Sequence, residues 1–467
     1  MLTTVTRLER KRTPARLRHF AFVILAMLPT MVTAGPIHLD ASGDVSGVTD
    51  RTSIQAAIEE AKMQGPGTQI MLGKGVFYLD RTLEFKNAPV TLRGQGIGNT
   101  VITNAPGVIF GDEPGSPFIW FYLDSTWDAA ETCDVEVSHL SLRAVGPTGH
   151  TYNGYDAWLD GIRVTGKPAG SPDESATYNA RFHQLEVAGE PGEDYWWFSN
   201  VRSGLDMYHE SWEFALEVDS EVSNSRFEGT AIGISQFTVV NSDVRIINSS
   251  ISTEYWNAID FYDASNSTFE IMGNHIAGYG RVLIYNGWAW GVAEIGEIPQ
   301  LSTYLISNNS IESIGTFPLD IRDLASHNSG IPGSASTMHV TLTRNTVLAQ
   351  DVAQRITGAI LLLAVDDSRI TDNTITGNTV APGPQSGHVG IGNPLVVTGD
   401  RNIVGRNDSS GFAKHPDSPY DVLLWNDART FVDGVAEGNL VFSSGPVLDE
   451  TDDPATPEYD GLNTIDP

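Results

Sequence analysis

The sequence predicts an all-β protein, a single-stranded right-handed parallel β-helix with a short N-terminal capping helix. Three observations support this fold class: a four-residue signature recurs along the chain, segments of alternating apolar residues follow it, and the shortest spacing between copies is about 24 residues. A repeat of this length forms one coil that cannot bury its apolar face alone. Stacked coils can bury it, and longer spacings then represent loops inserted into the coils.

The recurring signature has the form x-Asn-x-aliphatic. Asparagines at the same position of successive coils can stack, with each amide bonding to the next. We therefore interpret these residues as structural and not catalytic. The copies contain Asn274, Asn309, Asn345, Asn373, Asn402 and Asn439, and looser copies occupy 224–227 and 248–251.

Alternating apolar residues indicate the strands of the solenoid. A period of two with β-branched residues is typical of strands, and the inward aliphatic side chains would form continuous ladders. The segments are 161–164, 215–218, 231–234, 258–261, 281–284 and 318–321.

The N-terminal region, 35–110, is predicted to form the cap and the first coils. An amphipathic helix over 52–63 places Ile54, Ala57, Ile58 and Ala61 on one face. Such a helix would cover the open strand edges of the first coil. The β-helix proper, with loop insertions, is predicted over 111–447, and an acidic, loose C-terminal tail over 448–467.

Residues 1–34 have the pattern of a signal peptide. A basic segment precedes an apolar stretch over 20–28, and Val32-Thr33-Ala34 offers small residues for cleavage. The alternative is an N-terminal membrane anchor, but the apolar run is short for a span. We expect a secreted protein, extracellular or periplasmic, without stable membrane insertion.

Composition excludes several other classes. The formal net charge is −30, so phosphate would be repelled and nucleic acid is not an expected partner. The single cysteine, Cys133, permits neither an intrachain disulfide nor a zinc site of the cysteine type. An apolar fraction of 40% excludes a disordered chain.

The N-terminal segments 39–58, 75–79 (Gly-Val-Phe-Tyr-Leu) and 92–96 (Leu-Arg-Gly-Gln-Gly) carry a resemblance. Together they are similar to the N-terminal cap of the pectate lyase-like β-helix superfamily. The resemblance implies a fold shared by polysaccharide lyases, glycoside hydrolases, epimerases and phage tailspikes, but a fold does not establish an activity. The sharper motifs of these enzymes are missing: Gly-His-Gly, Arg-Ile-Lys, Arg-x-Pro-x-x-Arg and Asp-Pro-His-Asp. Leu159-Asp160-Gly161-Ile162 resembles the Asn-Thr-Asp motif of polygalacturonases, and Asp366-Asp367 resembles their Asp-Asp motif only as a dipeptide.

Residues between the inward aliphatics should face outward and stack along the solenoid. The predicted first column is Arg163, Glu217, Gly233, Asp260, Leu283 and Asp320, and the second is Thr165, Asp219, Ser235, Tyr262, Tyr285 and Arg322. Carboxylates two coils apart lie roughly 9–10 Å from each other, which suits an inverting pair with room for water. We predict Asp260 as the principal catalytic residue, Glu217 or Asp320 as its partner, and Asp160 as a further candidate. The alternative is a solvated acidic face.

Aromatic residues in the inserted loops are candidates for stacking on sugar rings. They are Trp196, Trp197, Trp212, Trp256 and Trp288. The alternative is that they pack the loops against the solenoid. Arg163, Arg322, Tyr262 and Tyr285 are the other predicted substrate-binding residues.

Three functions fit these features. The first is a secreted polysaccharide-degrading enzyme that hydrolyses glycosidic bonds by carboxylate acid/base catalysis in a groove along the β-helix. The second is a polysaccharide lyase that uses arginine and tyrosine, with calcium held by Asp219, Asp260 or Asp263 as an option. The third is a non-catalytic glycan-binding or adhesive β-helix. The acidic column favours hydrolysis of a neutral or weakly charged glycan, and no cofactor is required.

Overall fold

The computed structural model describes most of the chain after Ala34. The described residues are 35–108, 116–124, 126–128, 131–145, 151–152, 155–156, 159–166, 176–190, 201–208, 216–253, 257–279, 281–286, 300–314, 317–323, 336–350, 358–378, 393–414, 420–424, 438–443, 445–449 and 463–466. The predicted signal peptide, 1–34, lies outside them.

One helix and 37 strands are assigned in this part of the chain. The helix α1 spans Val48–Gln64. The strands are β1 Ile37–Leu39, β2 Thr68–Leu72, β3 Gly75–Leu79, β4 Leu83–Lys86, β5 Val90–Arg93, β6 Thr100–Asn104, β7 Ser116–Tyr122, β8 Cys133–Arg143, β9 Thr151–Tyr152, β10 Tyr155–Asp156, β11 Leu159–Thr165, β12 Ala176–Ala188, β13 Ser203–Tyr208, β14 Leu216–Ser223, β15 Arg226–Thr230, β16 Ile232–Val240, β17 Asp243–Ile247, β18 Ser250–Thr253, β19 Ile259–Ser265, β20 Thr268–Met272, β21 His275–Gly278, β22 Val282–Asn286, β23 Ser302–Ser307, β24 Ser310–Ser313, β25 Leu319–Asp323, β26 Met338–Thr343, β27 Thr346–Gln350, β28 Gly358–Leu363, β29 Arg369–Thr371, β30 Thr374–Asn378, β31 Asn393–Val397, β32 Ile403–Gly405, β33 Asp408–Ala413, β34 Val422–Leu424, β35 Leu440–Phe442, β36 Val447–Asp449 and β37 Thr464–Asp466.

The strands pair in parallel across successive coils, and three sheets result. Sheet A contains β4, β7, β11, β13, β16, β19, β22, β25, β28, β31, β34 and β36. Sheet B runs from β1 and β2 through β5, β8, β12, β14 and every third strand to β35, then β37; sheet C runs from β3 and β6 through β8, β12 and β15 to β33. The long strands β8 and β12 belong to both B and C. This pairing confirms the predicted single-stranded right-handed parallel β-helix.

The core fills the space between the three sheets. Side chains alternate between the inner and outer faces along each strand, and this determines which residues enter the core. In β23, Tyr304 and Ile306 are buried and Thr303 is exposed. Inward aromatic rings stack from coil to coil: the centroids of Phe269 and Tyr304 lie 4.6 Å apart with an interplanar angle of 6°. Each coil thus covers the apolar face of the next, which is the main source of stability in a solenoid.

The helix α1 caps the first coils as predicted, although it begins at Val48, before the predicted start at residue 52. Ile54, Ala57, Ile58 and Ala61 are buried. The buried Asp50 carboxylate accepts backbone N–H bonds from Ser42 at 2.8 Å and Tyr78 at 3.0 Å, and so fixes the helix to β3. Among the described residues, no helix has the length and apolar character needed to cross a membrane.

The asparagine signature forms two ladders, and the prediction of a single one is corrected. At the turns between sheets B and C, the side chains of Asn274, Asn309, Asn345, Asn373 and Asn407 bond in sequence. The side chains of Asn402, Asn439 and Asn463 belong to the turns between sheets A and B. The same short sequence pattern occurs in both kinds of turn because each has a residue in the left-handed conformation directly before the asparagine. Examples are Arg344 (φ 56°) and Arg401 (φ 54°).

The predicted acidic tail over 448–467 is also corrected. Strand β36 pairs with β34, and β37 pairs with β35, so coil stacking continues to Asp466. Asn463 extends the second ladder: its Oδ1 accepts the backbone N–H of Asn439 at 2.9 Å. Local acidity did not reveal these strands because their hydrogen bonds are made to the preceding coil and not within the segment.

We expect Asn309→Ala to lower the free energy of unfolding by about 2–4 kcal/mol. The Asn309 amide accepts from the Asn274 backbone at 2.9 Å and donates to the carbonyl of Ile271 at 2.8 Å and to Asn345 Oδ1 at 3.0 Å. Its removal leaves buried groups unpaired. Denaturant unfolding measures the effect, with Asn378→Ala, at an exposed strand end, as the control. Equal effects of the two variants would contradict a stabilising ladder.

Candidate active site

The outward residues of sheet A form one continuous stripe. In the observed register, Trp120, Arg163, Asp206, Ser235, Asp260, Leu283 and Asp320 lie opposite one another in successive coils. We call this row the central stripe. Asp260 stands between the core residues Ile259 and Phe261, so its side chain faces away from the core.

The predicted alignment of Asp260 and Asp320 is confirmed, since both pair with Leu283 of the coil between them. The predicted alignment of Glu217 is wrong. Glu217 lies in β14 of sheet B, where its Oε1 accepts from Asn241 at 2.8 Å and its Oε2 from Thr177 at 3.2 Å. Asp219 lies on the same strand. Alternation shows that a segment is a strand but not which sheet receives it, and this caused the error.

Asp206 takes the place that the sequence analysis assigned to Glu217. A signal for it exists: a glycine opens the segments at Gly161, Gly204 and Gly233, two residues before the outward position. These glycines face the core at a close approach of coils. A Cβ on Gly204 would lie 2.4 Å from the Phe227 ring. The register also moves Ser235 from the predicted second column into the central stripe and turns Gly233 inward.

Asp260 is a buried carboxyl whose charged form is disfavoured. It is 2% exposed. Burial raises its pKa to about 7, and the Asp206 charge adds to this, while Asn257, Arg281 and Tyr262 oppose it. Such a group carries a proton near neutral pH and can donate it.

Asp206 is a second buried carboxyl of the same kind. It is 4% exposed, and burial together with the Asp160 charge raises its pKa to about 6, against the opposing charges of Arg202 and Arg163. Its Oδ2 accepts from Arg202 Nη2 at 3.0 Å. Two coil spacings separate the backbones of Asp206 and Asp260, roughly 9–10 Å.

Two further aspartates hold pairs of arginines on either side of these carboxyls. Asp160, 0% exposed, accepts from Arg202 at 3.0 and 2.7 Å, and also from Arg163 and the Ser203 backbone. Asp320, also 0% exposed, accepts from Arg322 at 2.6 and 2.8 Å and from Arg281 at 2.5 Å. Both oxygens of each carboxylate are engaged by cations, which favours a positioning role over proton transfer.

Several of these groups were not predicted from the sequence. Arg202, Asn257 and Arg281 each stand directly before or two residues before a strand of sheet A. There they reach the central stripe: Arg281 Nε donates to Asn257 Oδ1 at 2.7 Å. Arg202 and Arg281 share a position directly before a strand, and this was the only sequence signal that could have indicated them.

Aromatic side chains line the central stripe on one side. The rings of Phe237 and Tyr262 stack at 4.9 Å, those of Tyr262 and Tyr285 lie 5.5 Å apart, and the Arg163 guanidinium lies 5.6 Å from the Tyr208 ring centroid. The predicted binding residues Arg163, Arg322, Tyr262 and Tyr285 therefore lie beside the carboxyls. Burial raises the pKa of Tyr208 to about 12, so it is protonated at neutral pH. Trp196, Trp197, Trp212, Trp256 and Trp288 lie outside the described residues.

The predicted calcium ligands are divided between two sheets. Asp219 lies in sheet B, while Asp260 and Asp263 lie on β19 of sheet A. Within the described ranges, no group of three or more histidine, cysteine, aspartate or glutamate residues is placed to hold a metal ion. Calcium binding stays a prediction.

Comparisons with solved structures give low sequence identities and low TM-scores. The A-module of mannuronan C-5 epimerase AlgE4 from Azotobacter vinelandii has 16% identity and a TM-score of 0.38, covering 93% of this chain and 94% of its own. DFA-IIIase from Arthrobacter chlorophenolicus A6, in complex with GF2, has 14% identity and a TM-score of 0.40, covering 92% and 98%. PfbA, a surface adhesin of Streptococcus pneumoniae, has 12% identity and a TM-score of 0.36, covering 78% and 88%. No family model and no curated protein matches the chain. The fold assignment therefore rests on the strand pairing of this chain.

We expect Asp260→Asn to stabilise the protein increasingly as the pH rises from about 4 to about 7. A carboxyl whose pKa is raised on folding, here to about 7, binds its proton more tightly in the folded state. Its contribution to stability therefore falls across this range and is constant above it. The amide variant does not titrate, so its gain over the wild type should reach up to about 4 kcal/mol above pH 7.

Denaturant unfolding between pH 4 and 8 measures this difference. Asp243→Asn, which removes a solvated carboxylate in β17, is the control and should show a much smaller pH dependence. A difference between Asp260→Asn and wild type that stays constant over the whole range would contradict the raised pKa.

Proposed function

We propose that the protein is a glycoside hydrolase that cleaves a polysaccharide along the central stripe of sheet A. The observation that carries the proposal is the pair of buried carboxyls, Asp206 and Asp260, two coils apart on one outward row with pKa values raised to about 6 and about 7. A backbone separation of roughly 9–10 Å is compatible with carboxyl groups at the spacing of an inverting pair.

The two carboxyls have different roles because their surroundings differ. Asp260 has the higher pKa and holds its proton, so it is the general acid that protonates the leaving oxygen. Asp206 is held in its charged form by Arg202 and serves as the general base. Acid and base roles are commonly assigned in this way, by surroundings that give two titratable groups different pKa values.

The buried aspartates Asp160 and Asp320 keep four arginines in place around this pair. Arg202 connects Asp160 to Asp206, and Arg281 connects Asp320 to Asn257 beside Asp260. We infer that these residues orient the carboxyls and tune their pKa values. The half-buried Tyr262 and Tyr285 provide apolar faces for sugar rings next to the reacting bond.

Polysaccharide lyase is the second candidate, and the four arginines favour it. When Asp206 and Asp260 are protonated, Arg163, Arg202, Arg281 and Arg322 exceed the charge of Asp160 and Asp320. The site is then cationic in a protein with a net charge of −30. That surplus of positive charge would suit the carboxylate of a uronic acid. The predicted acidic column, which disfavoured such a substrate, is therefore not a reason against it. The predicted signal peptide would place either enzyme outside the cytoplasm.

We expect Asp260→Asn and Asp206→Asn each to lower kcat/KM by at least about 10²-fold on the cleaved polysaccharide, because each removes one partner of the acid/base pair. Release of reducing ends measures the rate. Glu217→Gln is the matched control, since this residue lies in sheet B and should retain the wild-type rate. A loss confined to Glu217→Gln would contradict the assignment.

The pH dependence of kcat/KM should be a narrow bell with its maximum between about 6 and about 7. The base Asp206 must be ionised, so activity rises as the pH passes its pKa of about 6. The acid Asp260 must be protonated, so activity falls as the pH passes about 7. Asp206→Asn should remove the acid limb of the residual activity and Asp260→Asn the alkaline limb. Limbs that persist in both variants would assign the titration to other groups.

The substrate is found by incubating the protein with neutral and acidic polysaccharides under two assays. Reducing ends without ultraviolet absorbance indicate hydrolysis, whereas absorbance of an unsaturated product indicates β-elimination. Absence of both on glycans that the protein binds would contradict either enzyme and support an adhesive role.

A further inference from the structure

Several buried polar atoms around the central stripe have no hydrogen-bond partner in the protein. They are Oδ1 of Asp206, Oγ of Ser235, Nδ2 of Asn257 and Oδ1 of Asp260. Buried polar groups are normally paired, and an unpaired one destabilises the folded state. Their concentration on three neighbouring coils therefore points to a bound polar species.

Ser235 lies at the centre of this group. Its register partners are Asp206 on one side and Asp260 on the other, each one coil away, or about 4.8 Å. The side chain is 1% exposed. A hydrogen-bonding interaction with the Ser235 hydroxyl lowers the pKa of Asp206, although the contact lacks the geometry of a full hydrogen bond. The two side chains lie on the same outward row, one coil apart, and leave polar capacity on both groups unused.

The species that fits between them is small and both donates and accepts. Water has two protons for carboxylate oxygens and two lone pairs for a hydroxyl donor, and buried waters typically make about three such bonds. The opposite flank of Asp260 cannot hold water in this way, because the next residue of the stripe is Leu283. The Asp206–Asp260 pair therefore has a polar residue, Ser235, between its members, whereas the Asp260–Asp320 pair has the apolar Leu283.

We propose that Ser235 binds the nucleophilic water of the reaction and presents it to Asp206. This inference rests on the proposed hydrolase function. Ser235 Oγ–H donates to the water oxygen, and the water donates to Asp206 Oδ1. The water oxygen then bonds to the anomeric carbon while its proton passes to Asp206. The glycosidic C–O bond breaks, and the leaving oxygen takes the proton of Asp260, so the configuration at the anomeric carbon is inverted.

Ser235→Ala tests the proposal on the polysaccharide that the wild type hydrolyses fastest. We expect kcat to fall about 10²-fold with little change in KM, because the water is misplaced while the sugar contacts remain. The acid limb of the pH profile should also move to higher pH, since the hydroxyl lowers the pKa of Asp206. Ser252→Ala, in β18 of sheet C, is the matched control and should behave as wild type.

A second substrate separates water positioning from general loss of structure. A glycosyl fluoride of the same sugar has a leaving group that needs no strong acid. Asp260→Asn should therefore recover much of its activity on the fluoride, whereas Ser235→Ala and Asp206→Asn should stay slow. The product formed by the wild type, read by nuclear magnetic resonance before mutarotation, should be the inverted anomer.

The outcomes distinguish this inference from the proposed function. Full activity of Ser235→Ala together with inactive Asp206→Asn and Asp260→Asn would overturn the water site alone. Full activity of all three variants would overturn the proposed function. A retained anomer would overturn the attack of water in the first step, and recovery of Ser235→Ala on the fluoride would assign Ser235 to the leaving-group side.

Discussion

Parallel hydrogen bonding between successive coils is the constraint on which the molecule depends. It sets each residue opposite one residue of the next coil, so that residues far apart in sequence become neighbours along the rod. Inserted loops change the length of a coil but not its register in the sheets. Asp206, Ser235 and Asp260 therefore share one row although the segments between them differ in length. The spacing of about 4.8 Å between strands sets the scale of the site.

Polar ladders help to hold this register. In the turns between sheets B and C, each asparagine donates its backbone N–H and its side-chain amide to the side-chain oxygen of the asparagine in the next coil, for example from Asn309 to Asn345 Oδ1 at 3.1 and 3.0 Å. A shift of one residue would leave all these buried amides unpaired, which is costly. Stiff coils in turn fix the side chains of sheet A, and a catalytic pair requires placement within a fraction of an ångström.

The electrostatics of the site come from burial as much as from charge. A solvated aspartate would be ionised at neutral pH, but Asp206 and Asp260 are enclosed and share one row, so both hold protons more tightly. Buried charges persist only when they are paired. Asp160 and Asp320 meet this condition through their arginines, which outnumber them and make the centre cationic when Asp206 and Asp260 are protonated, on a strongly acidic protein.

The sequence by itself determined the fold class, the capping helix and the outward position of Asp260 and Asp320, because these follow from local period and from residue type. It could not decide which sheet receives a strand, and so it placed Glu217 where Asp206 stands and joined two asparagine ladders into one. Arg202 and Arg281 reach the site from positions directly before a strand, but the carboxylates that they bind could not be inferred from the local sequence. Which acids meet, and how deeply they are buried, was decided only by the stacking of coils, since both properties depend on neighbours that are distant in the chain.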